Sequence, residues 1–170
     1  MRRTWQTRST VLVAASVLTI AAAPVVAASG TTAADDAQTV FRTINRERAA
    51  HLLAALNWNG RLASAAHAHN LLMARYNTLS HQLSGEKSLG PRVTAVGYVW
   101  RAVGENIGAS TDCTLTGILN LQRMMYHEVA PNDPHRRNIL SRTYRAVGVD
   151  VVLDATHHKA WLAEVYAAPA

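Results

Sequence analysis

The pattern near the C-terminus of this sequence constrains its fold more than any other feature. Valine occupies every second position from Val147 to Val151, which is the period of a strand with one buried face. Residues Asp154 to Lys159 have turn character, and an apolar stretch from Ala160 to Ala167 then runs back. The pattern predicts a β-hairpin, so the rest of the chain must supply elements that cover this sheet.

Helical periodicity dominates the chain before the hairpin. Apolar residues at helical spacing predict three long helices: from about Asp36 to His51, from the Asn59-Gly60 turn past Met73, and from Leu115 to before Pro131. Asp35 and Asp36 supply N-cap chemistry for the first helix. His69 lies on the apolar stripe of the second helix. His67 and His69 are both expected to be helix-face residues.

The segments between the long helices complete the predicted fold. They are a long Ser- and Gly-rich loop from Thr78 to Gly97 with a short helix after Pro91, a strand from Val103 to Ala109, and a short helix with Asp133 as N-cap and Pro134 at its first position. Helices first and an antiparallel pair last predict an α+β fold. The expected architecture is an α+β sandwich with helices on the faces of a small, mainly antiparallel sheet.

The N-terminus has the pattern of a secretory signal peptide. A basic start, Met1-Arg2-Arg3, precedes an apolar run from Val11 to Ala23 and small residues up to Ala28, which is the order that export signals show. We therefore predict a signal peptide at residues 1–28, a linker at 29–35, a domain at 36–168, and a secreted or envelope-associated protein without a stable membrane span. The alternative is an uncleaved membrane anchor, because the apolar segment approaches the length of a span.

Charge and cysteine content exclude several function classes. The formal charge of the 170-residue chain is +6, but losing Arg2, Arg3 and Arg8 with the signal leaves 14 basic against 11 acidic residues, a charge of +3. The remaining basic residues form no stripe with interleaved aromatic residues, so no nucleic-acid partner is expected. Cys113 is the single cysteine; it allows no internal disulfide and is expected to pack as a small apolar side chain.

The common catalytic motifs are absent from the sequence. It contains no G-x-S-x-G elbow, no phosphate-binding Walker loop, no C-x-x-C and no H-E-x-x-H. His127-Glu128 begins the last of these patterns, but Pro131 occupies the position of the second histidine. The sequence therefore excludes a zincin-type helix.

Dispersed motifs nevertheless occur in a recognisable order. They are INRER from Ile44, LNW from Leu56, the Ala- and His-rich helix from Ala65 to Asn70, Ser80-His81, GYVWRAVGENIGA from Gly97, HRRNILS from His135, VGVDVV from Val147, and a strand that contains Trp161. From about Gln38 to Tyr166 the chain resembles the bacterial SCP-like branch of the CAP superfamily, which includes cysteine-rich secretory proteins, antigen 5 and plant pathogenesis-related proteins. The fold of this family is an α-β-α sandwich, so the resemblance agrees with the α+β sandwich predicted above from the residue pattern.

The resemblance also implies a central cleft with two histidines and two glutamates. Its members here are His81, Glu105, Glu128 and His135, with zinc held mainly by the two histidines and the glutamates nearby. The fourth member is open, because neighbours on a helix diverge by about 100° and only one of His127 and Glu128 can face the cleft. Two neutral imidazoles and two carboxylates suit a divalent cation, with zinc favoured.

Three functions follow from such a cleft. The first is a non-enzymatic extracellular module that binds a divalent metal and a lipid, sterol or cell-envelope ligand. The second is an extracellular metal-dependent hydrolase, a peptidase, with Glu105 as general base. The third is a structural envelope protein in which the four residues only stabilise the fold. His157 and His158 are expected at the hairpin tip, facing water.

Overall fold

The computed structural model describes residues 32–170; the predicted signal peptide and the first three residues of the predicted linker, 29–31, lie outside the described residues. Five helices and four strands follow in the order α1 Ala33–Ala49, β1 Asn57–Trp58, α2 Gly60–Tyr76, α3 Leu89–Ala95, β2 Trp100–Ser110, α4 Leu115–Tyr126, α5 Pro134–Ile139, β3 Ala146–Asp154 and β4 Lys159–Pro169. Within this part of the chain, no helix is long and apolar enough to cross a membrane.

The four strands form one sheet in the order β1-β3-β4-β2. Strands β3 and β4 form the predicted hairpin, with Ala146 opposite Ala167 and Asp154 opposite Lys159. Strand β2 pairs antiparallel with the outer side of β4, whereas the two-residue β1 pairs parallel with β3. The sheet is therefore mainly antiparallel, and the predicted α+β sandwich is confirmed.

Helices cover both faces of the sheet because the strands are apolar on both sides. In β4, Leu162 and Tyr166 pack into a core shared with α1, α4 and α5. The alternating residues Trp161 and Val165 pack on the other face, into a core shared with α2 and α3. Since successive strand residues point to opposite faces, a strand buried on both sides needs this continuous apolar composition.

The close approach of α2 to the sheet depends on one glycine. A Cβ atom added to Gly148 in β3 would lie 2.0 Å from the backbone nitrogen of Ala63 and 2.2 Å from the carbonyl carbon of Leu62. No side chain fits between these two backbones. Gly148 therefore fixes the distance between α2 and β3.

Several element boundaries differ from the sequence predictions. Helix α1 begins at Ala33, because Thr32 is its N-cap and forms a capping box with Asp35. The predicted start at about Asp36 is therefore too late: Asp35 takes part in the cap from the first turn, and Asp36 lies in that turn without being the N-cap. Helix α1 ends at Ala49 and α4 at Tyr126, earlier than predicted. Helix α3 begins before Pro91, and the short β1 was not predicted.

Two remaining predictions concern the histidines at the hairpin tip and the cysteine. His158 is exposed, as predicted, whereas His157 is partly buried and lies 2.6 Å from the Asp154 carboxylate. Cys113 is partly buried, and its Sγ lies 3.3 Å from the carbonyl oxygen of Lys159. This thiol packs at the base of the hairpin turn.

Candidate functional site

Strand β2 organises the candidate site because it is an edge strand with helices on both faces. Among the described residues its only strand neighbour is β4, and its side chains alternate across the sheet. Glu105 points to the face that carries α2 and α3, where it contacts Arg92. Asn106 points to the opposite face, where its Nδ2 donates to the carbonyl oxygen of His135. The two halves of the predicted cleft thus lie on either side of β2.

The first half of the site joins His81 to Glu105. His81 Nδ1 lies 3.0 Å from Glu105 Oε2, and because an ionised carboxylate only accepts hydrogen bonds, this ring nitrogen donates. The Glu105 side chain is only 1% exposed, whereas that of His81 is 59% exposed. A buried carboxylate therefore orients an imidazole that reaches solvent.

Arg92, in α3, neutralises this buried carboxylate. Its Nη1 lies 2.9 Å from Glu105 Oε1, and its Nη2 donates to Glu105 Oε2 at 3.1 Å. Burial alone would raise the pKa of Glu105, but the hydrogen bonds from His81 and Arg92, together with the positive charge of Arg92, outweigh it and hold this pKa below its usual value. Glu105 is therefore a carboxylate at neutral pH.

A second buried carboxylate, that of Glu86, also lies close to the Arg92 guanidinium. Glu86 accepts a hydrogen bond from His69 Nδ1 at 2.8 Å, and its Oε1 lies 3.6 Å from Arg92 Nε. The other ring nitrogen of His69 lies 3.8 Å from Glu105. His69 is 0% exposed, so this histidine is a buried link between two carboxylates and not a surface residue of its helix.

The second half of the site joins Glu128 to His135. Glu128 Oε1 lies 2.5 Å from His135 Nδ1, and Glu128 Oε2 accepts from the backbone nitrogens of His135 at 2.9 Å and of Arg136 at 3.3 Å. These two N–H groups belong to the first turn of α5, where a carboxylate is favourable. Asp133 is the N-cap residue of α5 with Pro134 at the first helical position, as predicted, but its side chain makes no capping hydrogen bond. Glu128 supplies that hydrogen bond and also holds the His135 ring.

The same contacts answer the question of His127 and Glu128. Glu128 contacts His135, whereas His127 is exposed and its ring packs edge-on against Tyr126, 4.9 Å between centroids. The helix ends at Tyr126, so Glu128 lies beyond it in the loop that leads to α5. Glu128 is the residue placed against the second histidine.

A buried polar network connects the two halves through β2. Asn138, in α5, donates through Nδ2 to the backbone carbonyl of Glu105 and to Asn106 Oδ1. Asn106 in turn donates to Glu164 at 3.0 Å, and Tyr166 donates to the same carboxyl oxygen at 2.6 Å. This network holds α5, and with it His135, against the strand that carries Glu105.

The four residues that the sequence analysis placed in one cleft form two His/Glu pairs in the structure, but the residues that contact the buried side of the first pair were not predicted. Arg92 and Glu86 were not singled out, and His69 was interpreted only as a helix-face residue. The available signal was the position of His69 on an apolar stripe, because a polar residue on a buried face requires buried partners.

The donor atoms of the site meet some of the needs of a metal ion. Among residues 32–170, no group of three or more His, Cys, Asp and Glu side chains is arranged to hold a metal. However, each of His81 and His135 gives Nδ1 to a carboxylate, and Nε2 of each has no protein partner in that range. Metal-bound histidines usually show this arrangement, so the donor chemistry of each of these two histidines suits a metal ion.

Fold and site together define a sandwich domain with two carboxylate-backed histidines beside an edge strand. The family comparison agrees with this class. The chain belongs to the cysteine-rich secretory protein family, the CAP family, whose profile matches residues 41–166. No curated protein sequence gives a significant match to this chain.

Solved structures place the chain in the bacterial SCP-like branch. It is similar to an extracellular SCP-domain protein of Bacillus anthracis, with 25% identity and a TM-score of 0.66, covering 78% of this chain and 40% of that one. It is similar in fold to a cysteine-rich secretory protein of Staphylococcus aureus, with 18% identity, a TM-score of 0.60, and coverage of 85% and 40%. An outer surface protein of Borrelia burgdorferi shares the fold at 13% identity and a TM-score of 0.68, with coverage of 82% and 97%. The chain thus spans about 40% of the length of the Bacillus and Staphylococcus chains.

Proposed function

We propose that this chain is an exported CAP-domain protein that binds a divalent cation, zinc favoured, through Nε2 of His81 and Nε2 of His135. The observation that carries the proposal is the pairing of each ring with a carboxylate, Glu105 at 3.0 Å and Glu128 at 2.5 Å. A carboxylate on Nδ1 fixes the tautomer, orients the ring and makes Nε2 a better donor to a metal. When bound, the cation would supply a Lewis acid with positions open to water or a ligand.

The charge of the site supports a cation of moderate affinity. Glu105 and Glu128 bring two negative charges, of which Arg92 offsets one at 2.9 Å. With only two histidine ligands, the remaining coordination positions belong to water or to a bound ligand. A lipid, sterol or cell-envelope ligand is an expectation from the family resemblance alone.

The non-enzymatic reading is favoured over the hydrolase for a physical reason. A general base works best when its pKa lies near the operating pH. The pKa of Glu105 lies below its usual value, and Arg92 contacts both of its oxygens. Glu105 is therefore a weak base that holds an imidazole, rather than a group ready to take a proton from water.

Calorimetric titration of the mature protein with zinc tests the proposal. We expect one site at about pH 7.5, which is lost at about pH 5, where imidazoles become protonated. His81→Ala and His135→Ala should each abolish zinc binding. His127 is an exposed histidine next to Glu128, so His127→Ala is the matched control and should bind zinc as the wild type does. Absence of binding, or binding that survives both site substitutions, refutes the proposal.

Two further measurements separate the remaining functions. A peptide-library digest with and without a chelator tests the hydrolase, which requires chelator-sensitive cleavage. If the double variant His81→Ala, His135→Ala melts lower while the wild type binds no metal, the four residues only stabilise the fold. Export is tested by N-terminal sequencing of the protein from the culture medium, which should begin near Ser29; a full-length membrane-bound chain would favour the anchor.

A further inference from the structure

We infer that Arg92 is the positioning residue of the His81 half-site, because its guanidinium holds the His81 backbone and the carboxylate that orients the His81 ring. Nη2 of Arg92 donates both to the His81 carbonyl oxygen at 2.9 Å and to Glu105 Oε2 at 3.1 Å. The same Oε2 accepts from His81 Nδ1 at 3.0 Å. This inference rests on the proposed function, since it concerns how one of the two histidines is presented to the metal.

These contacts form a closed ring of bonds. It runs from the guanidinium to the His81 main chain, along the side chain to the imidazole, through Glu105, and back to the guanidinium. Main-chain and side-chain ends of His81 are therefore fixed by one group. This matters because His81 lies in an irregular loop, between α2 and α3, and is 59% exposed, so packing does little to fix its ring.

A second buried carboxylate, Glu86, lies beside the guanidinium of Arg92. Arg92 is 8% exposed, and its Nε lies 3.6 Å from Glu86 Oε1. Glu86 accepts from His69 Nδ1 and from the backbone nitrogen of Leu83, 3.0 Å away, and Gln82 donates to its carbonyl oxygen. The loop that carries His81 is thus tied at Leu83 and Glu86 to the same buried charges that hold Arg92.

Only an arginine meets these geometric demands. A guanidinium has donors in a planar fork and can contact a carboxylate, a carbonyl oxygen and a second carboxylate at once. A lysine ammonium carries the same charge at a single point and reaches fewer of them. Arg92→Lys therefore separates charge from geometry, whereas Arg92→Gln removes the charge as well.

The test measures the His81 ring in the metal-free protein and then the metal affinity. In imidazole nitrogen NMR spectra at about pH 8, with His81 assigned from the spectrum of His81→Gln, the wild type should show a proton on Nδ1 and none on Nε2. Arg92→Lys and Arg92→Gln should shift His81 towards the mixed tautomers of a free histidine. The affinity for zinc should fall about tenfold or more, which is the usual loss when a residue that orients a metal ligand is substituted. The matched control is Arg75→Lys, an exposed arginine on α2, which should change neither quantity.

The tautomer distinguishes failure of this inference from failure of the proposed function. If the wild type binds no zinc but Arg92→Lys alters the His81 tautomer, the metal proposal fails and the positioning role stands. If folded Arg92 variants keep the wild-type tautomer and bind zinc within twofold of the wild type, the positioning role is refuted. A measurement without any variant guards against unfolding: the Arg92 Nη protons of the wild type should be separately resolved and slow to rotate, and a freely rotating guanidinium refutes the inference.

Discussion

Glu164 in β4 should make this protein less stable as the pH rises towards neutrality. Its side chain is fully buried, and burial raises its pKa from the usual 4.5 to about 7, against the opposing hydrogen bonds from Tyr166 and Asn106. Both donors contact Oε2, and Oε1 is buried with no partner among the described residues. The neutral acid therefore suits this position better than the carboxylate does.

The sign and size of the effect follow from proton linkage. Between about pH 4.5 and pH 7 the unfolded chain loses this proton while the folded chain keeps it, so the free energy of unfolding falls as pH rises. A difference of about 2.5 pKa units at 1.36 kcal/mol each corresponds to about 3 kcal/mol. Above the folded pKa both states are ionised and the loss is complete.

Glu164→Gln should remove this loss, because an amide resembles the neutral acid in shape and keeps one oxygen for Tyr166 and Asn106. We expect its free energy of unfolding, relative to that of the wild type, to increase by about 3 kcal/mol from pH 4.5 to pH 8. Urea denaturation at intervals across this range measures the difference. Asp112→Asn, at an exposed carboxylate, serves as control and should follow the wild-type curve.

The comparison with the wild type cancels the contributions of titrating groups that do not interact with Glu164. Glu47 is not one of them, because its charge contributes to the raised pKa of Glu164. Glu47 also has a pKa raised to about 7 by burial, opposed by its hydrogen bond from Gln122, so the variant should retain part of the pH dependence. A constant difference between Glu164→Gln and the wild type at all pH values would show that the buried carboxyl does not hold its proton, and the reasoning would be wrong.

Two smaller substitutions test the fold. Thr32→Ala removes the N-cap hydroxyl of α1, which accepts a hydrogen bond from the Asp35 nitrogen at 3.2 Å. The free energy of unfolding, measured by urea denaturation, should fall by about 1 kcal/mol. An unchanged midpoint would show that the cap contributes nothing. Gly148→Ala places a Cβ 2.0 Å from Ala63 N and should cost several kcal/mol or prevent folding, whereas Gly60→Ala, with nothing within 4 Å of the added Cβ, should be tolerated. Equal melting temperatures for the two glycine variants would contradict the close approach of α2.

Local patterns in the sequence predicted the elements better than their ends. The hairpin and the long helices follow from apolar periodicity, which depends on near neighbours in the chain. The start of α1 was misplaced because Thr32, Asp35 and Asp36 can all cap a helix, and only the backbone shows which one does. Strand β1 was not predicted because two residues that pair with a distant strand leave no periodic pattern.

The same reasoning explains what was missed in the site. His81, Glu105 and His135 follow from the order of short motifs along the chain. Arg92 and Glu86 are ordinary charged residues in a polar loop and helix, and no local pattern shows that both are buried. Their role depends on contacts between α2, α3 and β2, which only the folded structure provides.

The contact at Gly148 has a consequence for how this molecule can move. With the backbones of α2 and β3 in contact there, α2 cannot move closer to the sheet unless β3 is displaced, and this restriction extends to the buried His69 that α2 carries.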